Sequence, residues 1–394
     1  MNTLYFDNNA TTAVAPEALD EMFPYLKDLY GNPSSMHTFG GQLHRKIEDA
    51  RGKVALLLGA DPEEIIFTSC GTESDNTAIM SAAESFPQKR HVVTTRVEHP
   101  AVLNFFKHLA RKGYRVTFLP VNNQGQLNID DLMKVIDDDT ALVSIMYANN
   151  EIGNVYPIEE IGKLLKERRI LFHTDAVQAV GKIPIDLKTL PVDLLSLSGH
   201  KLHAPKGVGA LYVRRGTRFY PYIIGGHQEK GRRAGTENIA SIIALGKACE
   251  LAGESLAGEV TYLKRLRDKL ETALMQSCPD VRINGDVESR LPNTTNLSFE
   301  YVEGEAILLR LNEYGVCASS GSACTSGSLE PSHVLRAMGV PFTAIHGSIR
   351  FSLSRYNTEA EIDKVTEIMP GIIKNLRELS PFGREKTSQI IKCP

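Results

Sequence analysis

From residue 64 onward, short apolar runs alternate with longer segments whose apolar residues recur at helical spacing. Glu64–Thr68, His91–Thr95, Tyr114–Leu119, Ala141–Ala148 and Ile170–Thr174 read as strands. Between them, Thr72–Glu84, His99–Lys112, Ile129–Asp137 and Ile158–Arg168 read as amphipathic helices. Such alternation predicts β-α units on a mostly parallel sheet, an α/β fold whose ligands bind beyond the carboxyl ends of the strands. Two more apolar runs, Asp193–Leu197 and Val208–Val213, close the series. They bracket a polar loop rich in Gly and Pro, with Lys201 at its centre between His200 and His203.

The two ends of the chain carry other patterns. Leu4–Asp7 reads as a short strand, followed by the polar turn Asn8–Thr12 and a helix from Pro16 to about Tyr30. Gly31–Ser35 breaks the pattern before a second amphipathic helix, His37–Leu58. From about Gly258 the alternation stops, and Leu263, Leu266, Leu270 and Leu274 mark a long amphipathic helix. Strand-like Asn296–Phe299 and Ile349–Ser352 then flank helical Glu305–Tyr314, and a last helix spans Glu359–Leu379. The expected organisation is a large α/β domain over residues 15–257 and a smaller α+β domain made of 1–14 and 258–394, which carries the loop 318–329.

Composition narrows the class. A chain of 394 residues, 42% hydrophobic and 23% charged, is globular and too long for one ordinary core. A net charge of -3 favours neither nucleic acid nor an anionic membrane as a partner. No apolar run approaches the roughly 20 residues of a spanning helix. The N-terminal MNTLYFDNNATT lacks a signal-peptide core, so a cytoplasmic protein is expected. The six cysteines form no Cys-x-x-Cys pair, which argues against a disulfide framework or zinc knuckle and for a single reactive thiol.

The strand ends carry the chemistry. Thr68–Ser74 leads straight into a helix, and Gly71-Thr72 there offers amides, a hydroxyl and the positive end of the dipole to a phosphate. An ordinary helix cap, with Glu73 and Asp75 suiting the first turn, is the plainer alternative. His99 opens the next helix, where its ring could stack on a planar cofactor or serve structure alone. Asn149-Asn150-Glu151 follows a strand with amide side chains that have little structural reason to be there. Asp175 follows a strand that opens on the apolar run Ile170-Leu171-Phe172, where an unpaired carboxylate is expensive, so it needs a cation such as a protonated pyridine nitrogen. Lys201, hemmed in by Ser198, Gly199, Pro205 and Gly207, has little freedom to reach water. Burial would expose a nucleophilic amine suited to condensing with an aldehyde, although an exposed hairpin lysine fits the stretch equally well. Taken together, these are the parts of a pyridoxal phosphate site.

A second centre lies at Ala318–Ser328, eleven consecutive small residues with Cys324 in the middle. Such a run cannot pack a core and predicts a mobile loop whose exposed thiol could enter the cofactor site and then reach a partner. Arg350, in the apolar strand Ser348–Ser352, needs an anion. A substrate carboxylate and an internal salt bridge serve equally.

The segments FDNNATT (6–12), GNPSS (31–35), TSCGTESDN (68–76), VEHPAV (97–102), ANNEIG (148–153), HTDAVQAVGK (173–182), SGHKLHAPKGVGALYVRRG (198–216) and RRAGTEN (232–238) resemble the aminotransferase class V family. SSGSACTSGSLEPSHVLRAMG (319–339) is similar to the group I cysteine desulfurases of NifS type, fold-type I pyridoxal phosphate enzymes. That resemblance implies a reaction that takes sulfur from L-cysteine to leave L-alanine. It places Lys201 as the cofactor-linked lysine, His99 as stacking ring and proton shuttle, Asp175 opposite the pyridine nitrogen, and Gln178 on the phenolic oxygen. Gly71, Thr72, Ser198 and His200 fall to the phosphate, with Thr236 reaching it from the other subunit of a homodimer. Asn150 and Arg350 hold the substrate, and Cys324 receives the sulfur as a persulfide. The implied partner is an iron–sulfur scaffold of the NifU/IscU type, in service of nitrogen fixation. No permanent metal is implied, only transient sharing of a cluster between Cys324 and the scaffold. Cys70 and Cys317 are unusual but block no assignment. A selenocysteine lyase or another class V aminotransferase would share the cofactor site, and a cluster scaffold using Cys317 and Cys324 is the reading from a different class.

Overall fold

The computed structural model describes residues 3–320 and 331–380. Strand β1 (Leu4–Tyr5) and helices α1 (Pro16–Lys27) and α2 (Thr38–Leu58) precede the alternating series. The series runs β2 (Ile65–Thr68), α3 (Gly71–Ser85), β3 (His91–Thr95), α4 (Pro100–Arg111), β4 (Arg115–Leu119) and α5 (Ile129–Val135). It continues through β5 (Thr140–Ser144), α6 (Ile158–Arg168), β6 (Leu171–Asp175), β7 (Leu194–Ser198) and β8 (Gly209–Val213). These strands form one sheet in the order β2-β8-β7-β6-β5-β3-β4, parallel throughout except that β8 runs antiparallel to both neighbours.

The apolar runs are continuous because both faces of this sheet are covered. Val93, Val143, Phe172 and Leu195 pack with α2 and α6 in one core. Val92 and Leu142, one residue out of phase, pack with Ile79 of α3 and Phe106 of α4 in another. The sequence predicts a longer fifth strand, but the ladder stops at Ser144. Beyond it Met146 N–H donates to the Glu98 carboxylate, and Ala148 makes only an isolated bridge to Val155.

Helix α7 (Ile239–Ser277) begins almost twenty residues before the position expected from its leucine stripe. Its first half, from Ile239 to Ala252, is buried nearly all round and so shows no amphipathic period to read. That half joins the large core, while Leu263, Leu266, Leu270 and Leu274 join a second one. The second core also takes in β9 (Val281–Ile283), β10 (Thr294–Phe299), α8 (Gly304–Glu313) and β11 (Val316–Cys317). After α9 (His333–Ala337) and α10 (Phe342–Ile345), β12 (Ser348–Ser352) and α11 (Glu359–Leu379) complete it. Its sheet is antiparallel in the order β12-β10-β9, and β1 pairs with β11 in a separate parallel ladder. Residues 7–15 cross from this core to the large sheet: Asn8 bonds the Ser352 carbonyl, and the Thr12 and Ala15 N–H groups bond the carbonyls of His200 and His203. No helix among the described residues is long and apolar enough to cross a membrane.

Candidate active site

Register brings the strand ends together. Asp175 of β6 lies opposite Ser196, while Ser198 of β7 and Thr68 of β2 both lie opposite Gly209. At this edge is a cavity of about 340 Å³ lined by Gly71, Thr72, His99, Asn150, Asp175, Gln178, Ser198, His200, Lys201 and Arg350. Asn9, Ala10 and Asp75 complete its polar wall. Thr236 is exposed on the loop before α7 and does not line this cavity. Cys324 lies outside the described residues.

One end of the cavity suits a phosphate. Helix α3 starts at Gly71, and the residue before it, Cys70, makes no side-chain cap, so the first-turn amides keep their donors and the dipole its positive end. Ser198 Oγ is buried without a hydrogen-bond partner among the described residues. Glu73 does not oppose an anion here, because Arg233 and the Ser69 N–H hold its carboxylate. Gly71 is required by close approach: a Cβ there would lie 2.7 Å from Val177 Cγ2 and 3.3 Å from Ser198 Cβ. Gly71→Ala should therefore push the helix off the strand end and weaken pyridoxal phosphate binding about tenfold or more, a shift of ~1.4 kcal/mol, read by titrating the apoprotein with cofactor.

Another part of the lining suits a cation. Asp175 Oδ1 accepts from Val177 N–H at 2.9 Å. Asp75, only 1% exposed, leaves Oδ1 without a hydrogen bond, 3.6 Å from His173 Nε2. That histidine is neutral, since burial pushes its pKa to about 3, and it is occupied by Ser144 and Ser196. Burial raises both carboxyls above the ordinary range, and the charge of Asp175 raises Asp75 further. Two buried acids with one orphaned oxygen form a receptor for positive charge, as the pyridinium of the cofactor provides.

Lys201 lines the same cavity from the short 3-10 turn Gly199–Lys201 that follows β7. Its Nζ donates to the carbonyls of Asn9 at 2.6 Å and Ala10 at 2.7 Å, so the N-terminal turn aims it, rather than the strands that flank it in sequence. His99 caps α4 by accepting the Ala101 N–H on Nδ1. Burial, helped by Lys201, pushes its pKa down to about 4, so the ring is neutral with its proton on Nε2. His200 is likewise pushed to about 4, chiefly by burial, and its Nδ1 lies 3.1 Å from Thr11 Oγ1. Gln178 donates to the Asn9 carbonyl at 2.9 Å and accepts from Lys182 Nζ at 2.6 Å.

Of the two readings of Arg350, the structure shows the internal salt bridge. Its guanidinium donates to Asp7 Oδ1 at 2.6 Å and to the Asn150 carbonyl at 2.9 Å, yet it lines the cavity and its buried Nε has no partner among the described residues. An arginine carries five N–H donors, so capacity for an anion remains. The reading of Asn149 needs correction. It is structural, donating to the Val97 carbonyl and accepting from the N–H groups of Glu151 and Ile152.

Sequence reasoning missed Asn9, Ala10, Asp75 and Lys182. Asp75 had a legible signal, since it lies four residues after Gly71 and hence on the same face of α3. Lys182 had one too, four residues after Gln178 in a stretch already singled out. Asn9 and Ala10 act through carbonyls, which no pattern of side chains announces.

The chain as a whole has known relatives. The family described as aminotransferase class-V matches residues 4–365. A protein of Trichormus azollae named cysteine desulfurase is 63% identical over 98% of this chain and 96% of its own length. Cysteine desulfurase NifS of Azotobacter vinelandii is 57% identical over 97% and 95%. A solved structure titled NIFS-like protein superposes with a TM-score of 0.90 at 42% identity, over 95% of this chain and 100% of that one.

Proposed function

Because the chain belongs to the aminotransferase class-V family, we propose that the cavity takes sulfur from L-cysteine and passes it to Cys324. The protein is a pyridoxal phosphate-dependent cysteine desulfurase of NifS type. The observation that supports the residue roles is the single cavity that joins an uncapped helix N-terminus, a pair of buried acids and Lys201.

Bound there, pyridoxal phosphate supplies an aldehyde that condenses with amines and a ring that withdraws electrons from the substrate α-carbon. Gly71, Thr72, Ser198 and His200 hold its phosphate end, and Asp175 keeps a proton on its ring nitrogen. Arg350 and Asn150 orient the substrate, Arg350 through its carboxylate. Lys201 moves the α-proton, and His99 Nε2 exchanges further protons of the reaction. The Cys324 thiolate attacks the substrate sulfur; the S–S bond forms as the C–S bond breaks, and the carbon left behind takes a proton to give alanine. Arg350→Gln removes the charge-assisted bond to the carboxylate and should raise KM for L-cysteine roughly 10- to 100-fold, measured by steady-state alanine production.

Sulfur then goes to an acceptor, which we propose is a NifU/IscU-type iron–sulfur scaffold serving nitrogen fixation in the cytoplasm. In the same proposal, residues 15–257 hold the cofactor, and 1–14 with 258–394 form the domain that presents Cys324. A homodimer fits an exposed apolar row on one face of α1 and just beyond it: Leu19, Phe23, Leu26 and Tyr30, 49% to 72% exposed. It would bring Thr236 to the partner's cavity, and sedimentation should then give one species of twice the chain mass.

A panel of L-cysteine, L-selenocysteine and other amino acids, with a thiol reductant, tests the assignment. Equimolar alanine and sulfide from L-cysteine is expected. Amino-group exchange with 2-oxo acids and no sulfide would overturn it in favour of an aminotransferase.

A further inference from the structure

Asn9 is 1% exposed, yet every polar atom it carries is in use. Its N–H donates to Ser352 Oγ at 2.9 Å. Its carbonyl accepts from Lys201 Nζ and from Gln178 Nε2. Its side-chain oxygen accepts from Asn293 Nδ2 at 3.2 Å and Lys182 Nζ at 3.3 Å. Its side-chain nitrogen donates to Thr294 Oγ1 at 2.9 Å and to the Asn150 carbonyl at 3.2 Å. That same Asn150 carbonyl takes Arg350. One residue of the N-terminal turn thus touches the cofactor lysine, the amide beside it, the unit that holds Arg350, and strands β10 and β12.

We propose that Asn9 is a positioning residue of the reaction, fixing Lys201 and Gln178 on the cofactor side relative to Asn150 and Arg350 on the substrate side. The arrangement demands an amide. The site needs two acceptor bonds and two donor bonds from one short side chain, and a carboxylate supplies only acceptors. Lys182 contributes by occupying Gln178 Oε1, which turns the Gln178 NH₂ group toward the Asn9 carbonyl and the cavity wall. A buried network satisfied at every atom is stiff, so losing one member loosens both sides together. This rests on the roles proposed above for Gln178 and Arg350.

The test uses the full-length holoenzyme. Asn9→Ala should raise KM for L-cysteine about tenfold, lower kcat, and move the pH midpoint of the bound-cofactor absorbance. A purely structural residue would lower stability or the active fraction and leave KM and that midpoint where they are. Asn9→Asp keeps the acceptor bonds and loses the donor bonds to Thr294 and Asn150, so it should raise KM even if Asn9→Ala does not fold. Wild-type KM in Asn9→Asp, or wild-type KM and midpoint in a folded Asn9→Ala, overturns the proposal. Failure of the underlying reading is separate, because Arg350→Gln would then leave KM for L-cysteine at the wild-type value.

Discussion

Lys201→Ala should lower alanine formation from L-cysteine by roughly three to four orders of magnitude while the protein still binds pyridoxal phosphate. Cofactor retention is expected because the phosphate end and the acid end of the cavity do not depend on the lysine. The uncapped α3 N-terminus, Ser198 Oγ, Asp175 and Asp75 all remain. Turnover is lost because no other lysine among the described residues lines the cavity. Lys201 Nζ is held by two carbonyls of the N-terminal turn, whereas Lys182 Nζ is tied to Gln178 Oε1 and the Asn9 side chain. Cofactor binding is read by equilibrium titration and turnover by alanine release. Near-normal alanine release from Lys201→Ala would remove the lysine from the reaction.

Cys324→Ala should bring sulfur transfer below detection and leave a yellow, cofactor-bound protein. In the proposed function the thiol is the acceptor that lets the C–S bond break by substitution at sulfur, and alanine at this position offers no nucleophile. Mass spectrometry after exposure to L-cysteine should show one added sulfur on the wild-type chain and none on the variant. Full desulfurase activity of Cys324→Ala in the presence of a thiol reductant would make the persulfide assignment wrong.

The large sheet and much of the cavity were legible in the sequence for a physical reason. Parallel strands covered on both faces are rich in apolar residues, so a polar cluster directly after a strand stands out. Asp175, Ser198 and Lys201 were found in this way, and the cavity contains all three. The first half of α7 was not legible, because burial all round erases the period that betrays a helix. Nor was the end of the fifth strand, where the apolar run continues to Ala148 after the ladder has given way at Ser144.

The sequence by itself determined which residue types stand at which strand ends, and through long motifs the family and the chemistry they imply. Only the tertiary structure decided how they are held. It brought the Asn9 and Ala10 carbonyls to a lysine some 190 residues away, set Asp75 in the cavity wall with Asp175, and gave Arg350 both Asp7 and a place in the cavity. Carbonyls are common to every residue and carry no sequence signature, and contacts across such separations depend on where the chain crosses the sheet edge. Local patterning has no access to that crossing.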